Sequence, residues 1–163
     1  VTAGSTFSPI ATTTLGSAVA SYTFSSIPST YTDLVIVYEG SQTGNGDTRI
    51  QYNGDTAANY SETVVKGNGS TATSARSTGA NWSYIAYTDQ SIGRTNIIVQ
   101  IQNYANTTTY KSCLSRFNTA GSTVGAIVGM WRSTAAITSV TISTSAFAFS
   151  TGSTFTLYGI SAA

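Results

Sequence analysis

Histidine is absent from all 163 residues, and with it go the commonest general base, the commonest metal ligand and the usual activator of a serine or cysteine nucleophile. A Ser-His-Asp or Cys-His arrangement is therefore excluded. Cysteine occurs once, at Cys113, so no internal disulfide can form, and its place beside Leu114 in an apolar segment predicts a small buried thiol. Charged residues make up only 8% of the chain, against roughly 25% in ordinary globular proteins. Seven Lys and Arg against six Asp and Glu leave a net charge of +1, with no basic stripe. Nucleic acid is thereby argued against as a partner, because that affinity comes largely from neutralising several phosphates at once. No run approaches the ~18 apolar residues of a membrane span, and the first residues lack the charged head and apolar middle of a signal peptide. The expectation is a soluble chain that bypasses secretion and contacts no membrane.

Hydroxyls have replaced the missing charge: Ser and Thr together supply roughly a third of the residues. Such a composition would signal disorder if large apolar residues were scarce too, but ten Tyr, six Phe and two Trp stand among many Val and Ile. That is enough apolar area to offset the entropy of ordering one domain. Two prolines and fifteen glycines punctuate short segments rich in β-branched and aromatic residues, and helical periodicity is nearly absent.

Strands are expected at residues 19–24, where Ala20, Tyr22 and Phe24 alternate with hydroxyls, and at 33–38, a continuous apolar run suited to the middle of a sheet. Further strands are expected at 48–52, 82–87, 95–103, 110–117, 125–132, 136–143 and 154–160. Asn45-Gly46-Asp47 and Asn53-Gly54-Asp55 carry the chemistry of tight turns on either side of residues 48–52. Residues 66–80, almost wholly Gly, Ser, Thr, Ala and Asn, read as a long surface loop. Residues 1–14 read as an N-terminal arm without a strong fold of its own, free to lie along another surface or to pair with a neighbour's edge strand. The whole is an all-β chain: a two-sheet antiparallel sandwich, jelly-roll-like, of eight or nine strands over residues 15–163.

Chemistry-bearing groups are few. Two-carboxylate glycoside hydrolysis would have to draw on Asp33, Glu39, Asp47, Asp55, Glu62 or Asp89, but acids of this kind at strand starts and in Asn-Gly turns are ordinarily turn formers. Neither Asn-Gly-Asp triplet supplies the spaced acids of a calcium loop, and residues 40–46 are glycine-rich without the Lys or helix of a phosphate cradle. Sequons at Asn59, Asn68, Asn81 and Asn106 are no more than such a composition gives by chance. Trp82, Tyr84 and Tyr87, or Tyr104 and Tyr110, could form a stacking platform for sugars; as core residues they need no such role, and Trp131 is expected to be packed. No catalytic, cofactor-binding or metal-binding residue is assigned, and no cofactor is expected.

Three stretches carry a resemblance: Phe24-Ser-Ser-Ile-Pro-Ser-Thr-Tyr-Thr-Asp-Leu-Val-Ile, Ile50-Gln-Tyr-Asn-Gly-Asp-Thr-Ala-Ala-Asn-Tyr, and the ending Phe155-Thr-Leu-Tyr-Gly-Ile. In these the chain resembles a family of small β-rich virion proteins of tailed bacteriophages, which act as capsid decoration (cement) proteins or as modules of tail and fibre proteins. The resemblance implies a non-enzymatic homotrimer on the outer capsid surface with the major capsid protein as partner. The alternative it leaves open is a tail-fibre or receptor-binding module that recognises host polysaccharide.

Overall fold

In a computed structural model, which describes residues 6–87, 93–120 and 123–161, the chain is an all-β sandwich of two antiparallel sheets. Twelve strands are formed among the described residues: β1 Phe7–Thr14, β2 Ser21–Phe24, β3 Asp33–Gly40, β4 Thr48–Tyr52, β5 Tyr60–Gly67, β6 Ala72–Ala80, β7 Ser83–Ala86, β8 Thr95–Ile101, β9 Lys111–Thr119, β10 Val124–Trp131, β11 Val140–Thr144 and β12 Thr154–Ile160. The larger sheet has eight strands in the order β1-β12-β3-β8-β9-β10-β5-β6, and the smaller has four, β2-β11-β4-β7. Most connections cross from one sheet to the other, so the core is stitched from both sides.

Alternation decides which residues are inside. In β8, Ile97, Val99 and Ile101 are buried while Asn96, Ile98 and Gln100 face outward, as the period-2 reading requires. β3 supplies Leu34, Ile36 and Tyr38, and β12 supplies Phe155 and Leu157, to the same interior. Two aromatic clusters close the sandwich at opposite corners. At one, Tyr22 stacks on Phe155 at 5.1 Å and Tyr38 leans on both Phe149 and Phe155. At the other, Trp131 meets Tyr52 at 5.5 Å and Tyr60 at 6.4 Å. Rings of this size bury on the order of 150–250 Å² each, so these corners carry much of the apolar burial.

The polar residues of the second quoted stretch serve this corner. Asn53 and Gly54 both have positive φ (53° and 67°), and the Asp55 N–H donates to the Tyr52 carbonyl at 2.9 Å, closing the tight turn expected there. Asn53 Oδ1 then accepts from the N–H groups of Thr138 and Ser139, while its Nδ2 donates to the Ala136 carbonyl. Asp55 accepts from the Trp131 indole at 2.6 Å, from Asn59 Nδ2 and from the Ala57 N–H. Burial acts to raise the Asp55 carboxyl, but these hydrogen bonds outweigh it and hold the group below its ordinary value. The other two stretches meet each other. The Tyr31 ring lies flat against Gly159, where any Cβ would overlap it, and the Tyr104 hydroxyl donates to the Pro28 carbonyl.

Three expectations need correction. Residues 66–80 are no loop: β5 runs to Gly67, turns through Gly69 (φ 87°) and returns as β6, registered with β5 from Gly67↔Ala72 to Tyr60↔Ala80. No side chain of β6 is fully buried and only Ala80 at its end packs against the core, so backbone pairing does most to hold it, and apolar periodicity could not have revealed it. The N-terminal segment, from Phe7 on, is a strand in the chain's own sheet, with Phe7 opposite Ile160 and Thr14 opposite Thr154. Residues 136–139 are not part of the eleventh strand, because their backbone is pinned by Asn53 instead of by a neighbouring strand. β1, β5 and β6 account for the excess over eight or nine strands.

Two predictions follow from this packing. Burial pushes the Tyr38 and Tyr60 hydroxyls from 10.0 up to about 12, and it raises Tyr52 as well. Because the folded values lie above the unfolded one, the stability they contribute is full below pH 10.0 and is lost as pH climbs toward about 12. Thermal midpoints measured across that range should fall steeply, and the part of the tyrosinate absorbance that belongs to Tyr38 and Tyr60 should rise with unfolding and not before it. Gly159→Ala should lower stability by about 1–3 kcal/mol in chemical denaturation, as expected for overpacking against Tyr31.

Candidate functional site

Two surfaces gather the side chains that could meet a partner. The first is on the small sheet. Arg49 of β4 stands opposite Tyr84 of β7, and its guanidinium lies 4.0 Å above the Trp82 ring and 5.4 Å from that of Tyr84. Tyr84 and Tyr87 are 4.5 Å apart, and Lys66 Nζ sits 5.0 Å from the Tyr87 ring. The three aromatic residues named in the sequence are thus together, but two cations occupy their faces.

Beneath this cluster lies a buried carboxylate. Glu62, on the inward face of β5, accepts from Ser83 Oγ at 2.9 Å, from the Tyr84 N–H and from the Tyr87 hydroxyl. Tyr87 is held far above its ordinary pKa by burial first, then by the Glu62 hydrogen bond and charge, with smaller contributions from Tyr84 and Asp47. Glu62 therefore clasps the edge of the small sheet to the large one, with both carboxylate oxygens engaged.

The second surface is the outward face of the eight-stranded sheet. Its side chains can be read along the register: Arg76, Thr63, Val128, Leu114, Gln100, Val35 and Tyr158 form one row, and Ser74, Val65, Ala126, Arg116, Ile98, Val37 and Thr156 the next. Val65, Leu114, Val124, Val128 and Met130 are all exposed, from 39% for Met130 to 62% for Val124. Two depressions mark this face. One, of about 480 Å³, lies over β5, β6 and β10 between Arg76 and Arg132, with Val128 and Met130 in its floor. The other, of about 290 Å³, is framed by Phe7, Val35, Val37, Ile98, Tyr158 and Arg116.

The remaining sequence candidates are scattered. Asp33 accepts from the Asn103 N–H, Glu39 pairs with Arg94 at 3.1 Å, and Asp55 holds Trp131. The Asp47 N–H donates to Ser145 Oγ, and Asp89 lies outside the described residues. Tyr104 is fully buried in the core whereas Tyr110 is 57% exposed, so these two form no platform. Cys113 is buried, and burial pushes its thiol up. Asn68 and Asn106 cap their own turns through Oδ1, and Asn59 bonds Asp55. Among the described residues no group of three or more Cys, Asp or Glu could hold a metal ion. Sequence reasoning missed the outward face; the signal was in β10, whose Val124-Gly-Ala-Ile-Val-Gly-Met-Trp is apolar at both parities.

No family model matches the chain, and no curated protein matches it. Among solved structures it is similar to an exo-inulinase from Aspergillus awamori, at a TM-score of 0.45 and 11% identity. That likeness covers 94% of this chain and 29% of the enzyme, so the chain spans less than a third of the enzyme's length.

Replacing Glu62 with Ala should leave the Ser83, Tyr84 and Tyr87 donors without their acceptor. Loss of about 3 kcal/mol in denaturant titrations is expected, with Glu62→Gln retaining part of it.

Proposed function

We propose that this chain is a structural protein of the virion surface, a capsid decoration protein that binds the outside of the shell and stabilises it. The observation that carries the reading is the outward face of the eight-stranded sheet, where Val65, Leu114, Val124, Val128 and Met130 stand in water among hydroxyls. An exposed apolar surface rimmed by polar residues marks a protein contact more readily than a reaction centre. The major capsid protein is the partner in this reading, and repeated weak contacts multiplied by the symmetry of the shell supply the hold. Homotrimer formation and the outer capsid location come from the resemblance in the three quoted stretches.

Catalysis has no part in this reading. Glu62, Asp55 and Asp33 are each engaged in bonds that position backbone or aromatic groups, and Glu39 is paired with Arg94. The tail-fibre alternative draws less support, because Arg49 lies over Trp82 and Tyr104 is in the core.

Particles that lack the chain should lose infectivity at lower temperature than complete ones, and adding the purified chain back should restore the difference. Its copy number per particle should match the scale of the shell subunits. Equal heat resistance with and without the chain, or a copy number matching the tail, would overturn the proposal.

A further inference from the structure

Positive charge is in excess on the outward face of the large sheet. It carries Arg76 on β6, Arg116 on β9 and Arg132 just after β10, and Arg76 and Arg116 are exposed. Among the described residues the one ion pair is Arg94 with Glu39 at the rim, and the Arg132 guanidinium donates to the Ala58 carbonyl. Of the carboxylates, Asp55 and Glu62 are drawn into the sandwich, while Asp33 and Glu39 stand at the two ends of β3 on this face, Asp33 accepting from the Asn103 N–H and Glu39 paired with Arg94. Arg76 and Arg116 are separated by three strand spacings, ~14 Å, with Thr63, Val65, Ala126 and Val128 between them.

Area and charge together constrain the occupant. Eight strands of about seven residues present roughly 900 Å² of projected surface at the usual spacing and rise, comparable with the ~800 Å² that each partner contributes to a stable interface. A second copy laid on the same face would bring two sets of arginines together, which like-charge repulsion disfavours. Resting on the reading of the chain as a shell-binding protein, we propose that this face takes an acidic, partly apolar surface of a different protein. Carboxylates of that surface meet Arg76, Arg116 and Arg132, and its apolar side chains enter the depression floored by Val128 and Met130.

The test uses particles assembled without the chain, titrated with purified wild type, with Arg76→Glu, Arg116→Glu and Arg132→Glu singly and combined, and with Lys66→Glu. The last makes the same charge change on the opposite side of the sheet. Thermal midpoints establish that each variant is folded, and sedimentation of each free chain reports self-association. Each arginine reversal should weaken binding about tenfold, the triple variant should fail to bind, and Lys66→Glu should bind like wild type. Wild-type affinity should also drop as salt is raised. If the folded triple variant binds as tightly as wild type, the inference fails while the shell-binding reading stands. If wild type does not bind the particles at all, that reading fails and the inference with it. Self-association of free wild type that is abolished by the arginine reversals would identify a second copy as the occupant and would equally overturn the inference.

Discussion

A four-stranded sheet can cover only part of one face of an eight-stranded one, and this mismatch organises the molecule. β2 packs toward β12 and β7 toward β9, β10 and β5, so the cover spans the middle of the large sheet. At one margin, β1 keeps partial cover through Ile10 and Ala11. At the other, β6 keeps it only at its end, through Ala80. The opposite face of the large sheet has no second sheet over it among the described residues. Apolar residues on an uncovered sheet face are costly in water unless something covers them, and β10 carries them at nearly every outward position.

The inter-sheet contact is secured at its ends more than at its centre. Aliphatic side chains such as Ile36, Ile50, Val99 and Ile142 fill the middle without polar atoms to satisfy. Toward the margins the chain places groups with one polar atom each and gives that atom a partner: the Trp131 indole donating to Asp55, the Tyr60 hydroxyl accepting from the Tyr52 N–H, the Tyr104 hydroxyl donating to the Pro28 carbonyl, and the Tyr87 hydroxyl donating to Glu62. Scarce carboxylates are thus spent on geometry. Two of the six acids hold the two sheets in register, which accounts for their presence in so lightly charged a chain.

The strands with an apolar face were legible in advance because burial writes a period of two into them: β3, β8 and β12 lie within a few residues of their expected bounds. The Asn53-Gly54-Asp55 turn was legible because only certain residues accept positive φ. β6 was not, since its side chains meet solvent on both sides and its order comes from backbone groups that every residue shares. The grouping of Trp82, Tyr84 and Tyr87 was anticipated, but Arg49 over them was not, for it arrives from another strand by cross-strand register. The outward apolar face was visible only in part, since Leu114 and Arg116 alternate with buried residues and read as ordinary surface.

The pairing of β1 with β12 places Phe7 beside Ile160 on adjacent strands, so the backbone enters and leaves the sandwich at one corner. A polypeptide with this layout can be spliced into a surface loop of another protein without prising that loop apart, because its two attachment points are already neighbours. It can equally be closed into a ring by a short linker and reopened at the exposed turn between β5 and β6, where no side chain is buried.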